Sequence, residues 1–301
     1  MFERETVNIT SQDGTSVLDT WYYKPLTEPP YPLVVAGPGM TVIKEAGLST
    51  FGEEWASKAG FASLIFDYRG FGSSGGEPRD LVDLEKQYQD YQSVIQWARG
   101  RPELFRLDKI VVVGTAVGGL TAARLVLEDP SLAGGIGQSP MLDGYTTLMA
   151  LPFNPRLVFL AMVDTIMSKL GLSPLFIKAV GHPNEFALLN TKSAYPGFEM
   201  MFSQGSIPFS KAPNKIAPRL SFQIMGARPG IRMKEAKGRV LIVSSQDDDM
   251  IPIKIAREIA ASAPNVVTLV ESPGGHFDIL KGGQGYETNI NAQIEFLRSL
   301  L

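Results

Sequence analysis

Val111-Val112-Val113-Gly114-Thr115-Ala116-Val117-Gly118-Gly119 is the stretch that decides the fold. Its β-branched run reads as the end of a buried strand, its glycines as a sharp turn, and residues 117–127 as a helix. A strand that turns at once into a helix, with glycine on both sides of a central residue, is the pattern of the nucleophile elbow, G-x-S-x-G. The central residue is strained there, so its neighbours must carry almost no side chain. The helix N-terminus then aims backbone N–H groups and a positive dipole end at a reacting oxygen. Gly114, Gly118 and Gly119 supply that geometry, and Ala116 stands where the serine belongs.

Working outward, short apolar runs alternate with helical patterns, which predicts an α/β fold with a mostly parallel sheet. Residues 5–10 and 16–23 read as an antiparallel pair joined by Gln12-Asp13-Gly14. Strands are expected at 33–36, 62–66, 109–113, 132–137, 239–244 and 266–271. Helices are expected at 48–59, 81–99, 117–127, 254–262 and 287–301.

Only two histidines exist, His182 and His276, so an imidazole base must be one of them. Gly274-Gly275-His276-Phe277 follows the last strand, on the side where open parallel sheets place their active sites. His182, among Gly181, Pro183 and Asn184, reads as a surface or lid histidine. An acid is needed to fix the imidazole tautomer and stabilise the imidazolium. Asp247-Asp248-Asp249 follows the strand at 239–244. Asp248, four residues before Pro252, is favoured, and Asp247 is the alternative. The order nucleophile, acid, histidine is that of this elbow class. An oxyanion hole needs two backbone N–H donors. Val117 follows the nucleophile position, and Met40 in Gly37-Pro38-Gly39-Met40-Thr41 is the choice for the second.

The α/β pattern breaks between 141 and 233, where proline-interrupted apolar segments and eight of the 11 methionines lie. The expected organisation is a core of 1–140 and 234–301 with a helical lid inserted at 141–233. Methionine suits pockets that accept irregular shapes. Tyr145, Met149, Phe153, Phe159, Met162, Met200 and Phe202 are the candidates to line an acyl tunnel. The chain has 301 residues, 44% hydrophobic and 20% charged, with a net charge of −3 and no cysteine. Thiolate nucleophiles, disulfides and thiolate metal sites are excluded. The charge gives no case for nucleic acid. No apolar run has the length of a membrane span, and the charged N-terminus is unlike a signal peptide. A cytoplasmic protein with no membrane partner is expected. No metal or cofactor is implied, since Gly70-Phe71-Gly72 lacks the dinucleotide pattern.

Gly39-Met40-Thr41-Val42-Ile43-Lys44-Glu45, Phe66-Asp67-Tyr68-Arg69-Gly70-Phe71-Gly72-Ser73-Ser74-Gly75-Gly76-Glu77-Pro78-Arg79, the elbow and Gly274-Gly275-His276-Phe277-Asp278 resemble the α/β-hydrolase superfamily. They are similar in particular to the fungal polyketide transferases and trans-acting thioesterases. The resemblance implies an α/β-hydrolase fold and acyl transfer from a thioester on the acyl-carrier protein of a polyketide synthase, to water or to a hydroxyl. It places the nucleophile at Ala116, the acid at Asp248 and the base at His276. Two origins fit the alanine: a replacement introduced into an active enzyme, or a natural binding protein that performs no chemistry. A general carboxylesterase or peptidase-like hydrolase is the alternative activity.

Overall fold

The computed structural model describes every residue from Met1 to Leu301. The chain opens with β1 (Phe2–Thr10) and β2 (Val17–Pro25), paired antiparallel. Asp13 sets the turn between them, its carboxylate accepting the Thr15 and Ser16 amides at 2.9 and 2.7 Å. Then follow β3 (Tyr31–Gly37), α1 (Ser49–Glu54, prolonged by a π-turn at Trp55–Ala59), β4 (Ala62–Phe66), α2 (Leu84–Arg99), β5 (Phe105–Thr115), α3 (Gly118–Glu128) and β6 (Gly134–Gln138). The next hundred residues hold α4 (Gly144–Ala150), α5 (Pro155–Lys169), β7 (Ile177–Lys178), α6 (Ala194–Phe202), β8 (Lys215–Ile216) and α7 (Leu220–Gly226). The chain ends with β9 (Arg239–Ser245), α8 (Ile253–Ser262), β10 (Val267–Ser272) and α9 (Tyr286–Arg298).

The eight-stranded sheet has the order β1-β2-β4-β3-β5-β6-β9-β10. All pairs from β4 to β10 are parallel. Ile110–Val113 of β5 are fully buried, as expected of a central strand covered on both faces, whereas edge strand β1 is largely exposed. The chain runs from β3 to β4 in one direction and continues from β5 in the other. Such a switch point leaves a crevice at the carboxyl ends of the strands. Gly37 of β3 and Gly114 of β5 face each other there.

Two expected helices differ in detail. The helix expected from 81 begins at Leu84, because the Asp83 carboxylate caps it, accepting the Glu85 and Lys86 amides at 3.0 Å each. The helix expected over 48–59 is an α-turn followed by a π-turn, ended by Gly60 with φ +72°.

β6 and β9 are neighbours in the sheet, so the segment between them leaves the sheet and returns beside its point of departure. Its helices are capped locally. Asp143 accepts Thr146 N–H at 3.1 Å to start α4, and Asn154 accepts Leu157 N–H at 3.2 Å, with Pro155 in the first turn of α5. Buried Asp164 of α5 accepts the Leu175 and Arg219 amides at 2.9 and 3.1 Å, which ties α5 to the approach of α7. The segment is fixed to the core by Ser206 N–H on Glu45 at 3.0 Å, by Ser193 N–H on Asp249 at 3.2 Å, and by Gln223, which accepts Leu84 N–H and donates to Asp83, both at 3.0 Å.

Candidate active site

Ala116 has φ +49°, a left-handed conformation costly for any residue with a Cβ. The turn is held from both sides. Ala116 N–H donates to Gln138 O at 3.1 Å, and Ala116 O accepts the Gly119 and Met141 amides at 2.9 and 2.8 Å. The flanking glycines are enforced by packing. A Cβ on Gly114 would lie 2.3 Å from Gly118 O, and one on Gly119 would lie 2.5 Å from Pro140 Cβ. The neighbouring hydroxyl, Thr115 Oγ1, donates to Gln138 Oε1 at 2.9 Å, toward β6.

The Met40 and Val117 amides donate to no acceptor in the protein. Val117 precedes α3 with no side-chain cap, and while Gly119 N–H is taken by Ala116 O and Leu120 N–H by Val117 O, the Val117 amide itself is left for a ligand. The loop bearing Met40 lies close against the elbow. A Cβ on Gly39 would stand 3.9 Å from Ala116 Cβ and 3.4 Å from Thr115 O. A buried ion pair fastens this loop. Asp67 accepts Lys44 N–H and Lys44 Nζ–H, both at 2.7 Å, and Asp19 also pairs with Lys44. Burial pushes the Asp67 carboxyl above its ordinary range, against the pull of the Lys44 ammonium. Tyr91 joins the two strand ends, its hydroxyl accepting Gly37 N–H at 2.7 Å and donating to Val113 O. Sequence reasoning did not assign Lys44, Asp67 or Tyr91 to the site. The only signal was the position of Lys44 and Asp67 inside quoted motifs.

Of the three successive aspartates, Asp248 meets the histidine: its Oδ2 is 2.7 Å from His276 Nδ1. Its Oδ1 accepts the Met250 and Ile251 amides at 2.9 and 2.8 Å, so the carboxylate is held from both ends. Asp249 instead bonds Ser193, and the Asp247 carboxylate is exposed with no partner. Asp247 contributes its backbone, donating N–H to Gly274 O at 2.9 Å and pinning the acid loop to the histidine loop. A carboxylate on Nδ1 fixes the tautomer in which Nε2 is the free acceptor. His276 is 7% exposed, and it lines the same cavity as Ala116, Met40 and Val117.

That cavity holds about 700 Å³, and 27 of its 38 lining residues are hydrophobic, so it suits an apolar ligand. Met40, Met250 and Phe277 line it from the core side. Met149 and Phe153 line it from the inserted segment, as expected. Five other candidates do not. Tyr145 and Met162 face outward, 45% and 47% exposed, with the Arg228 guanidinium 5.1 Å from the Tyr145 ring. Phe202 is buried against Phe209, their ring centroids 5.5 Å apart, and Met200 lies off the cavity. Phe159 is also exposed and off the cavity. On α6 the lining positions are Phe198 and Met201, one helical turn apart on the inner face, and the neighbouring positions point elsewhere. His182 is exposed and stacks on Tyr195 at 4.1 Å, away from Ala116 and off the cavity.

Comparison with known proteins agrees with the fold. Residues 46–194 match the family described as serine aminopeptidase, S33. That segment contains Ala116 and stops short of Asp248 and His276. The chain is 32% identical over 287 residues to the quorum-quenching protein AidA of Acinetobacter baumannii, covering 93% of this chain and 90% of the relative. It is 26% identical over 309 residues to the polyketide transferase ATR5 of Stachybotrys chlorohalonatus, covering 99% and 98%. Among solved structures, the α/β hydrolase GrgF of Penicillium sp. sh18 superposes with a TM-score of 0.78 at 22% identity, covering 99% of this chain and 98% of the other.

Proposed function

The chain belongs to the α/β-hydrolase family, and on that premise we propose that its site is built for acyl transfer and that, with alanine at 116, it binds an acyl ligand without forming an acyl-enzyme. One observation carries this reading: a left-handed Ala116 (φ +49°) stands between two unengaged amides and a histidine oriented by a buried carboxylate. A strained residue, free amides and a buried charge each cost stability, and together they have a use only at a reacting carbonyl.

With serine at 116 the steps follow from the positions. His276 Nε2 takes the hydroxyl proton while Oγ attacks the acyl carbon. Met40 and Val117 N–H receive the oxyanion, and Asp248 stabilises the imidazolium. The proton then passes to the leaving thiolate or alkoxide, and water or a hydroxyl releases the acyl group by the reverse sequence. With a methyl group at 116 no bond to carbon forms, but carbonyl docking and acyl burial are retained.

The apolar cavity supports a lipophilic acyl chain. The likeness to a polyketide transferase supports a polyketide-type chain presented as a thioester, with an acyl-carrier protein as donor. The stronger likeness to a quorum-quenching protein favours a second reading, in which a different ester is opened by the same acyl step. A non-catalytic binding protein is the third. The integrity of the rest of the site favours descent from an active enzyme, and the codon at position 116 in the source gene separates an introduced alanine from a natural one.

The test is Ala116→Ser, assayed with a carrier-bound acyl thioester, an aryl ester and an acyl lactone. Turnover at least ~10³-fold above the alanine form is expected for one of the three. A folded serine form inert toward all of them would sink the acyl-transfer reading.

A further inference from the structure

Half of the large exposed apolar side chains, eight of sixteen, lie between Tyr145 and Leu172, under a tenth of the chain. Phe159, Met162, Ile166 and Leu170 follow an i, i+3, i+7, i+11 spacing, one row along α5 and its C-terminal cap. Met149 and Phe153, 55% and 79% exposed, extend the row to the cavity, which both also line. The inner side of α5 faces the cavity. Its outer side is an apolar strip of a kind that monomeric surfaces rarely carry without a partner.

Charge narrows the choice of partner. The only carboxylate among residues 144–184 is Asp164, and it is wholly buried on the Leu175 and Arg219 amides. The exposed charges of α5 are Arg156 and Lys169, one near each end and both cationic. A second copy of the chain fits poorly. Antiparallel pairing of α5 on α5 brings each Arg156 onto the opposite Lys169, and parallel pairing brings like onto like, with no carboxylate between them. An apolar row flanked by cations fits a layer that is apolar inside and anionic at its surface.

We infer that the outer face of α4 and α5 docks on an anionic lipid surface. Phe159, Met162 and Ile166 enter the acyl layer, Arg156 and Lys169 meet the phosphates, and the cavity mouth at Phe153 opens toward the lipid. No helix is long and apolar enough to cross a membrane, and lying on one does not require such a helix. This inference departs from the expectation of no membrane partner, which was drawn from the lack of a span. The inference is independent of the residue at 116 and of the acyl-transfer reading.

The test is cosedimentation of the full chain with phosphatidylcholine vesicles, with and without phosphatidylglycerol, at low salt. Binding to the anionic vesicles is expected. Phe159→Asp combined with Ile166→Asp should weaken it at least ~tenfold, because charge on the apolar row opposes insertion. Arg156→Gln combined with Lys169→Gln should weaken it several-fold, and raised salt should do the same. Ile231→Asp, at an exposed apolar position on another face, should leave it unchanged. No binding to either vesicle overturns the inference. So does undiminished binding by the aspartate variant. A concentration-dependent dimer that the aspartate pair abolishes, without vesicle binding, overturns it in favour of self-association. The glutamine pair is read separately, so a folding defect in the aspartate variant does not leave the question open.

Discussion

The sheet end and the inserted segment both face the same cavity, yet their residues are fixed in different ways. At the sheet end each reacting position is set by backbone. Strand register places Gly37 beside Gly114, the elbow fixes Ala116, and paired amides hold Asp248. In the insertion the lining positions are set by which face of a short helix turns inward, and a few polar anchors hold the segment to the core. Substitutions that crowd the backbone at the sheet end should therefore cost stability. Those in the insertion should change which ligand binds while stability stays level.

The largest difference is expected from Gly114→Ala. The new methyl would meet Gly118 O at 2.3 Å, and the obstacle is backbone. A loss of about 3 kcal/mol in denaturant unfolding is expected. A variant as stable as the parent would break the distinction between the two regions. Next is Met201→Trp, which adds bulk on the insertion's inner face. Affinity for a long-chain acyl thioester should fall about tenfold, or ~1.4 kcal/mol, while a short-chain analogue binds as before and any loss of stability stays below that of Gly114→Ala. Calorimetry with both ligands checks it, since the alanine form has no nucleophile to consume them. The smallest effect is expected from Ala116→Gly. Removing the Cβ relieves the left-handed strain at φ +49°, and stability should rise by up to about 1 kcal/mol. A loss of stability instead would mean that Ala116 is not strained.

Legibility follows the same division. The elbow, the strands of the α/β pattern, His276 and the Met40 and Val117 amides could be read because glycines and strand ends mark backbone geometry directly. Asp248 was separable from Asp247 only weakly. A spacing to proline suggested it, and the 2.7 Å contact with His276 decides it. The insertion was legible as apolar and broken, but not residue by residue. Met200 and Met201 are adjacent and identical in type, and only helix phase puts Met201 on the cavity. Phe159 and Met162 of the outward row on α5 also read as tunnel lining. Composition reports that a segment is apolar and leaves open which of its faces is covered. Lys44 and Asp67 were missed for a related reason: a charged pair in a loop has no periodicity to announce that it is buried.

The most direct measurement is the intact mass of the Ala116→Ser protein after brief exposure to a medium-chain acyl thioester, beside the unmodified chain and the Ala116→Ser, His276→Ala double variant. The expected result is one acyl adduct, mapped to position 116, in the serine form, with none in the alanine chain and little in the double variant. A serine form that binds the acyl ligand but never carries an adduct, or an adduct that forms equally without His276, would contradict a site built around a nucleophile at 116.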